Sequence, residues 1–212
     1  MRDKSELYNA LSTGLASITG AVVVLRFVSR YVSGSSFWLD DYCIGITLLA
    51  GIPSSVLSVH GLTSNGLGRD IWTLTFKQIT DFVHVFYVME VLYFAHVVLL
   101  KLSLLFFYLR VFPDFRLRQL IWGTIIFDIV YGVAFIFAGI FQCWPIDYNW
   151  EQWDMEHQGR CVNVNAMAWA NSAISIVLDI WMIGLPMSRV LKLRLHWKKK
   201  VGVGLMFGVG TL

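Results

Sequence analysis

Charge is what this sequence has least of: Asp, Glu, Lys and Arg make up 15% of its 212 residues, against about a quarter in soluble domains. A chain so poor in ions cannot coat a water-facing surface, so a soluble globular fold is excluded. Proline numbers only four, and no stretch has the composition of a linker, a repeat or a low-complexity tail. Chemistry-bearing motifs are missing as well. There is no phosphate-cradling Gly-rich loop, no His-Glu-x-x-His, no nucleophile elbow and no dinucleotide-binding glycine pattern. The five histidines are scattered without metal-ligand spacing, and no metal site is expected; His84 and His96 read as interfacial or bundle residues. No Asn-x-Ser/Thr acceptor occurs, and a net charge of +3 calls for no nucleic-acid partner.

What is present is apolar length. Five stretches, about 8–25, 42–60, 86–108, 119–141 and 165–187, are long enough to cross a bilayer, and a sixth starts near Val201 and stops with the chain at Leu212. A hydrocarbon core ~30 Å thick needs ~20 mostly apolar residues per helix. Helices satisfy their own backbone groups where lipid offers no partners. The expected fold is therefore all-α: a polytopic transmembrane helical bundle forming one domain over residues 1–212. The first span is the least apolar, with Ser12, Thr13, Gly14, Ser17 and Gly20. Its length and the following Arg26 and Arg30 distinguish it from a cleaved signal, and its small residues suit close helix packing.

Basic residues set the orientation. With the N-terminus outside, Arg26, Arg30, Arg110, Arg116, Arg118 and the 189–200 cluster bring eleven cations to the cytosolic side, against five outside. That bias obeys the positive-inside rule. The N-terminus is thus expected on the non-cytosolic face of a plasma membrane or endomembrane. The 189–200 cluster serves first as a topology determinant; contact with anionic lipid or a cytosolic signalling partner is its other reading. The loop from Gln142 to about Val164 then faces an oxidising compartment, where Cys143 and Cys161 are expected to form a disulfide. It also carries Trp144, Tyr148, Trp150 and Trp153, and reads as a lid pinned over the bundle mouth.

Ionisable residues interrupt the later spans, where a charge at a helix centre costs ~2.5–3.5 kcal/mol. Such groups face the bundle interior or another charge. Glu90 and Lys101 lie eleven residues apart and so within about 20° of each other on one helical face, shared with Phe94, Val97, Leu104 and Tyr108. Thr124, Asp128, Gly132 and Gly139 align on the fourth span, and Asn171, Ser175 and Asp179 on the fifth. Lys101 and Asp128 each fall ~13–14 Å from the cytosolic edge and Asp179 ~12 Å. One expectation is a charge layer in which Lys101 pairs with Asp179 or Asp128, with Glu90 further out; the other is that Lys101 snorkels while each aspartate bonds locally. Asp40 and Asp41 open the second span beside Arg26 and Arg30. They read first as helix-start acids, with an ion lock as the alternative. Pro53 and Pro186 are expected to kink their spans.

Five motifs in order carry a resemblance: RFVSRYVSGSSFWLDDY, GLGRDIW, KLSLLFFYLRVF, FQCWP with a later cysteine, and LDIWMIGLPMSRVLKLRLHWKKKVGVGLMFGVG. Together they resemble the fungal rhodopsin-domain family of integral membrane proteins, which includes receptor-like proteins and members encoded in mycotoxin clusters such as the satratoxin cluster. Asp70 departs from the histidine usual in the second motif. The resemblance implies a seven-helix, rhodopsin-like fold with the N-terminus outside; this chain is expected to be truncated within helix six and to lack helix seven. Retinal would need a Schiff-base lysine on helix seven, for which Lys101 is a poor substitute, so no cofactor is expected.

Three functions compete. A receptor-like sensor would bind a small-molecule ligand under the Trp-rich loop and relay motion to the cytosolic loops. An accessory protein of a secondary-metabolite cluster would transport or handle an intermediate. A membrane-bound cyclase would use Glu90, Asp128 and Asp179 as catalytic acids in an apolar cavity. The order of preference is as given, and an enzyme is the least favoured.

Overall fold

The computed structural model describes residues 5–192, apart from 35, 37, 64, 69, 155 and 156. The partial sixth span from Val201 and the basic side chains of the 189–200 cluster lie outside the described residues.

The elements run α1 (Ser5–Val32), α2 (Leu39–Val56), a π-helical turn (Leu57–Leu62), a 3-10 turn (Ile71–Thr73), α3 (Phe76–Val111), α4 (Phe115–Ile140), strand β1 (Cys143–Trp144), the short α5 (Tyr148–Glu151), a 3-10 turn (Gln152–Asp154), strand β2 (Arg160–Cys161) and α6 (Val164–Lys192). Among the described residues, five helices are long and apolar enough to cross a membrane. The fold is all-α, and the chain is a multi-pass membrane protein.

The helices belong to two compact units. One comprises residues up to Leu104 together with Phe127–Val162; the other comprises Leu105–Ile126 and the residues from Asn163 on.

Within the first unit, contacts alternate in direction. Near the start of α1, Tyr8 Oη lies 2.6 Å from Ser58 Oγ, and Thr63 Oγ1 donates to Asn9 Oδ1 at 2.8 Å. The other end of α1 meets the start of α2 through Arg26 and Arg30. These two helices are therefore antiparallel. Three hydroxyl residues of α1 are satisfied within the helix: Thr13, Ser17 and Thr19 each donate to a carbonyl four residues back, which suits them to lipid. The small-residue face expected to pack closely does not do so among the described residues, since the positions a Cβ would take at Gly14 and Gly20 are open. Tight packing occurs elsewhere. A Cβ on Gly132 would overlap the Val98 side chain, and one on Gly139 would press within 3.0 Å of Phe94, so α3 and α4 cross where only glycine fits.

Pro53 lacks an amide and leaves an upstream carbonyl of α2 without its usual donor. Past Val56 the helix widens into the π-helical turn. At Pro186, by contrast, α6 continues without a break.

Helix α3 has 36 residues and is about 54 Å long, well beyond the ~30 Å of hydrocarbon. It starts ten residues before the apolar stretch read from sequence, because Phe76–Val85 is too mixed in polarity to count as span. Measured back from Val111, ~30 Å of helix ends beside Glu90. The turns of α3 before it carry the loop between β1 and β2.

In the second unit the buried apolar side chains include Leu105, Tyr108 and Leu109 of α3, Leu117, Ile121 and Ile125 of α4, and Met167, Leu178, Met182 and Leu185 of α6. Trp181 Nε1 donates to Thr124 Oγ1 at 3.0 Å. Other large apolar side chains of α4 and α6, such as Ile126, Val130, Trp169 and Val177, are exposed, as lipid-facing residues are.

Candidate functional site

Two polar constructions occupy opposite ends of the first unit, and α3 touches both. At one end Asp40 and Asp41, 0% and 1% exposed, receive the guanidinium groups of Arg26 and Arg30. Arg26 Nη2 lies 2.7 Å from Asp40 Oδ2 and Arg26 Nε 3.3 Å from Asp41 Oδ1; Arg30 makes the same two contacts at 3.4 and 3.5 Å. The cluster is neutral, two cations on two anions, and so tolerates a depth at which a lone carboxylate would not be stable. Asp41 Oδ2 also accepts from Trp38 N at 3.3 Å, the helix-start role read from sequence. Ser103 Oγ of α3 donates to the Asp40 carbonyl at 3.3 Å. The two acids thus pair with Arg26 and Arg30 while standing in the first turn of α2.

The other end is the loop that the sequence suggests as a lid. Cys143 and Cys161 form a disulfide and face each other as partners in the two-stranded antiparallel β1–β2 ladder. Val162 N donates to the Gln142 carbonyl at 2.8 Å, which closes the hairpin. Between the strands the chain folds onto α3. Trp153 stacks on Phe76 at 5.6 Å and its Nε1 donates to Thr80 Oγ1 at 3.1 Å. One turn deeper, Trp150 packs on His84 at 4.3 Å and on Tyr87 at 5.8 Å. Tyr87 Oη in turn donates to the Ile140 carbonyl at 2.8 Å. Deeper again, Gln142 Nε2 donates to Glu90 Oε2 at 3.4 Å. Residues 76, 80, 84, 87, 90 and 94 recur every three or four positions, so one face of α3 carries the whole loop. On the outer side His157 lies 3.0 Å from Asp154 and 3.6 Å from Glu151.

The remaining sequence candidates lie within the helices. Lys101 and Asp128 are both buried in the first unit, and Phe94 and Tyr108 are buried on the α3 face shared with Lys101. Asp179 is half-buried in the second unit, one turn from the half-buried Ser175 and two from the buried Asn171. Thr124, Gly132 and Gly139 are buried on the α4 face that carries Asp128. Cys43 is a free thiol near the start of α2. Among the described residues no group of histidine, cysteine and carboxylate side chains could hold a metal ion. In the second unit an open groove of about 350 Å3 is lined by Pro113, Phe115, Arg118, Gln119 and Trp122.

Sequence reasoning missed Gln142, Tyr87 and Ser103. Gln142 was visible as a lone amide beside a disulfide cysteine. Nothing local marked Tyr87 or Ser103, whose partners lie 53 and 63 residues away in sequence.

Comparison with known proteins agrees with this architecture. The chain is 28% identical over 190 residues to a SAT4 family membrane protein of Emericella nidulans, covering 86% of this chain and 44% of the relative. It is 27% identical over 198 residues to Receptor GIN3 of Arthrobotrys oligospora, covering 91% and 46%. Over 86 residues it is 34% identical to Satratoxin biosynthesis SC1 cluster protein 4 of Stachybotrys chartarum, covering 40% and 31%. The chain thus spans less than half the length of each of these three relatives. No solved structure matches it significantly. A sequence profile of the fungal rhodopsin domain matches residues 25–212, and the chain belongs to that family of membrane proteins.

Proposed function

We propose that this chain acts as a receptor-like small-molecule sensor, taking its ligand at the lid and passing the response along α3 to the Arg26–Arg30–Asp40–Asp41 cluster. The observation that carries the reading is the clasp itself: a disulfide-pinned aromatic loop grips one face of α3 from Phe76 to Glu90. Thirteen residues on, about 20 Å along the same helix, Ser103 holds the backbone of Asp40. A helix gripped at both ends moves as a rod, so a shift at the lid alters the contact with the ion cluster.

The proposal includes orientation. The lid lies on the non-cytosolic face, because its disulfide persists only in an oxidising compartment, and the eleven-to-five bias of basic residues agrees. The 189–200 run then meets anionic lipid or a cytosolic partner. We also propose that Lys101 and Asp128, both buried in the first unit, form a charge layer in the bundle.

A strain lacking the gene tests the reading. Lost response to an external chemical cue with an unchanged metabolite profile is the expected result; an intact response with one accumulated pathway intermediate overturns it. That second result would favour handling of a secondary metabolite, a reading supported by the relative named for satratoxin biosynthesis.

A further inference from the structure

Gln142 is 2% exposed, and its side chain is only half satisfied. Nε2 donates to Glu90 Oε2 over a long 3.4 Å, while Oε1 is buried without a hydrogen-bond partner. Rotation of the whole residue away from the site is blocked, since its carbonyl is held by Val162 N and its neighbour Cys143 is bridged to Cys161. Beside it stands Glu90, half-buried, with no ion pair to any described basic side chain. The unpartnered amide oxygen of Gln142 and the carboxylate of Glu90 thus place two acceptors side by side. A half-buried carboxylate on an apolar helix is costly without a cation, and an unpaired buried carbonyl adds to that cost.

We propose that the Glu90–Gln142 pair, flanked by Tyr87 and Trp150, is a binding site for a protonated primary or secondary amine. One N–H of such a group meets Glu90 and a second meets Gln142 Oε1; a neutral or anionic ligand supplies no charge to Glu90. Tyr87 precedes Glu90 by three residues and so lies beside it on the helix surface, and Trp150 packs on Tyr87. Aromatic faces next to an ammonium add cation–π attraction. Residues 142–164 carry four acidic side chains against one arginine, a field that gathers cations at the mouth. The proposal names the ligand class for the lid and takes its location from the sensor reading above.

The test uses the full chain in lipid nanodiscs with the disulfide intact, titrated with three probes of similar shape: benzylammonium, benzyl alcohol and benzoate. Tryptophan fluorescence reads binding, and the part of the change lost in Trp150→Phe, among nine tryptophans, is the signal of Trp150. Benzylammonium is expected to bind about tenfold or more tightly than the other two, as a charge-assisted hydrogen bond implies. Glu90→Gln should abolish that preference, Gln142→Leu should weaken it, and Glu90→Asp should retain it at lower affinity. Should Glu90→Gln fail to fold, the Gln142→Leu and Glu90→Asp variants decide. Equal binding of the three probes, a preference that survives Glu90→Gln, or no saturable response overturns the amine site. Tighter binding of benzyl alcohol or benzoate, lost in Trp150→Ala, overturns the amine class while leaving the lid as a ligand site. The sensor reading is decided separately, by the deletion strain.

Discussion

Replacing Asp40 with Asn preserves shape and removes one of the two anions that hold Arg26 and Arg30. The carboxylate is fully buried and touches both guanidinium groups, at 2.7 and 3.4 Å. Breaking a buried ion pair by removing one partner costs ~3–5 kcal/mol, because the other charge is left uncompensated. Here the arginines are 33% and 19% exposed and can recover some hydration, which places the expected loss near the low end, ~3 kcal/mol. For a chain of this size each kcal/mol moves the midpoint ~2–4 °C, so the melting temperature should fall by ~6–12 °C. Arg26→Gln should cost less, ~1–2 kcal/mol, because Arg30 still reaches both carboxylates. The double variant should be less destabilised than the sum of the singles, with a coupling of at least ~1 kcal/mol. Thermal unfolding of the purified protein in nanodiscs, followed by tryptophan fluorescence, measures all three. A shift under ~2 °C for Asp40→Asn, or strict additivity, would refute the claim that these four residues form one energetic unit.

Other perturbations address other parts of the fold. Cys143→Ser opens a loop with a sequence separation of 18 residues and should cost ~3 kcal/mol in the chain-entropy account; protease cleavage between Trp144 and Arg160 should appear in the variant and not in the parent. Gly132→Val drives a side chain into Val98, with an expected loss of ~1–3 kcal/mol. Adding Val98→Ala should restore part of it, and an unaltered melting point in the single variant would argue against the close crossing. Lys101→Met should lower the yield of folded protein, and adding Asp128→Asn should recover it. Failure of that rescue, scored by fluorescence-detected gel filtration, removes the proposed charge layer.

Much of the fold was legible because lipid imposes a simple code: long apolar runs are helices, and the five expected spans are five helices. Their limits were less visible. Phe76–Val85 packs against Trp150 and Trp153, about 66 to 77 residues further along the chain, and no local pattern announces such packing. Gly132 and Gly139 were readable as close-packing positions because glycine at helical spacing has few other uses in a span, whereas the same reasoning at Gly14 and Gly20 met open space. The acidic pair illustrates the limit most clearly. Acids at a helix start explain themselves through the backbone, so sequence alone ranked their partners Arg26 and Arg30 second, although those cations lie only 10–15 residues upstream. Gln142 went unread because its importance depends on burial, which spacing does not encode.

The central claim is that the lid and the ion cluster lie on opposite faces of the membrane. With the free thiol Cys43 replaced by Ala in both variants, two single reporters test it in sealed vesicles with the cytosolic face outward: Cys161, exposed and freed by Cys143→Ser, and Ser36→Cys, exposed between α1 and α2. A membrane-impermeant maleimide should label position 36 at once and Cys161 only after detergent opens the vesicles. Labelling of Cys161 in sealed vesicles, or of both positions from the same side, would contradict the account.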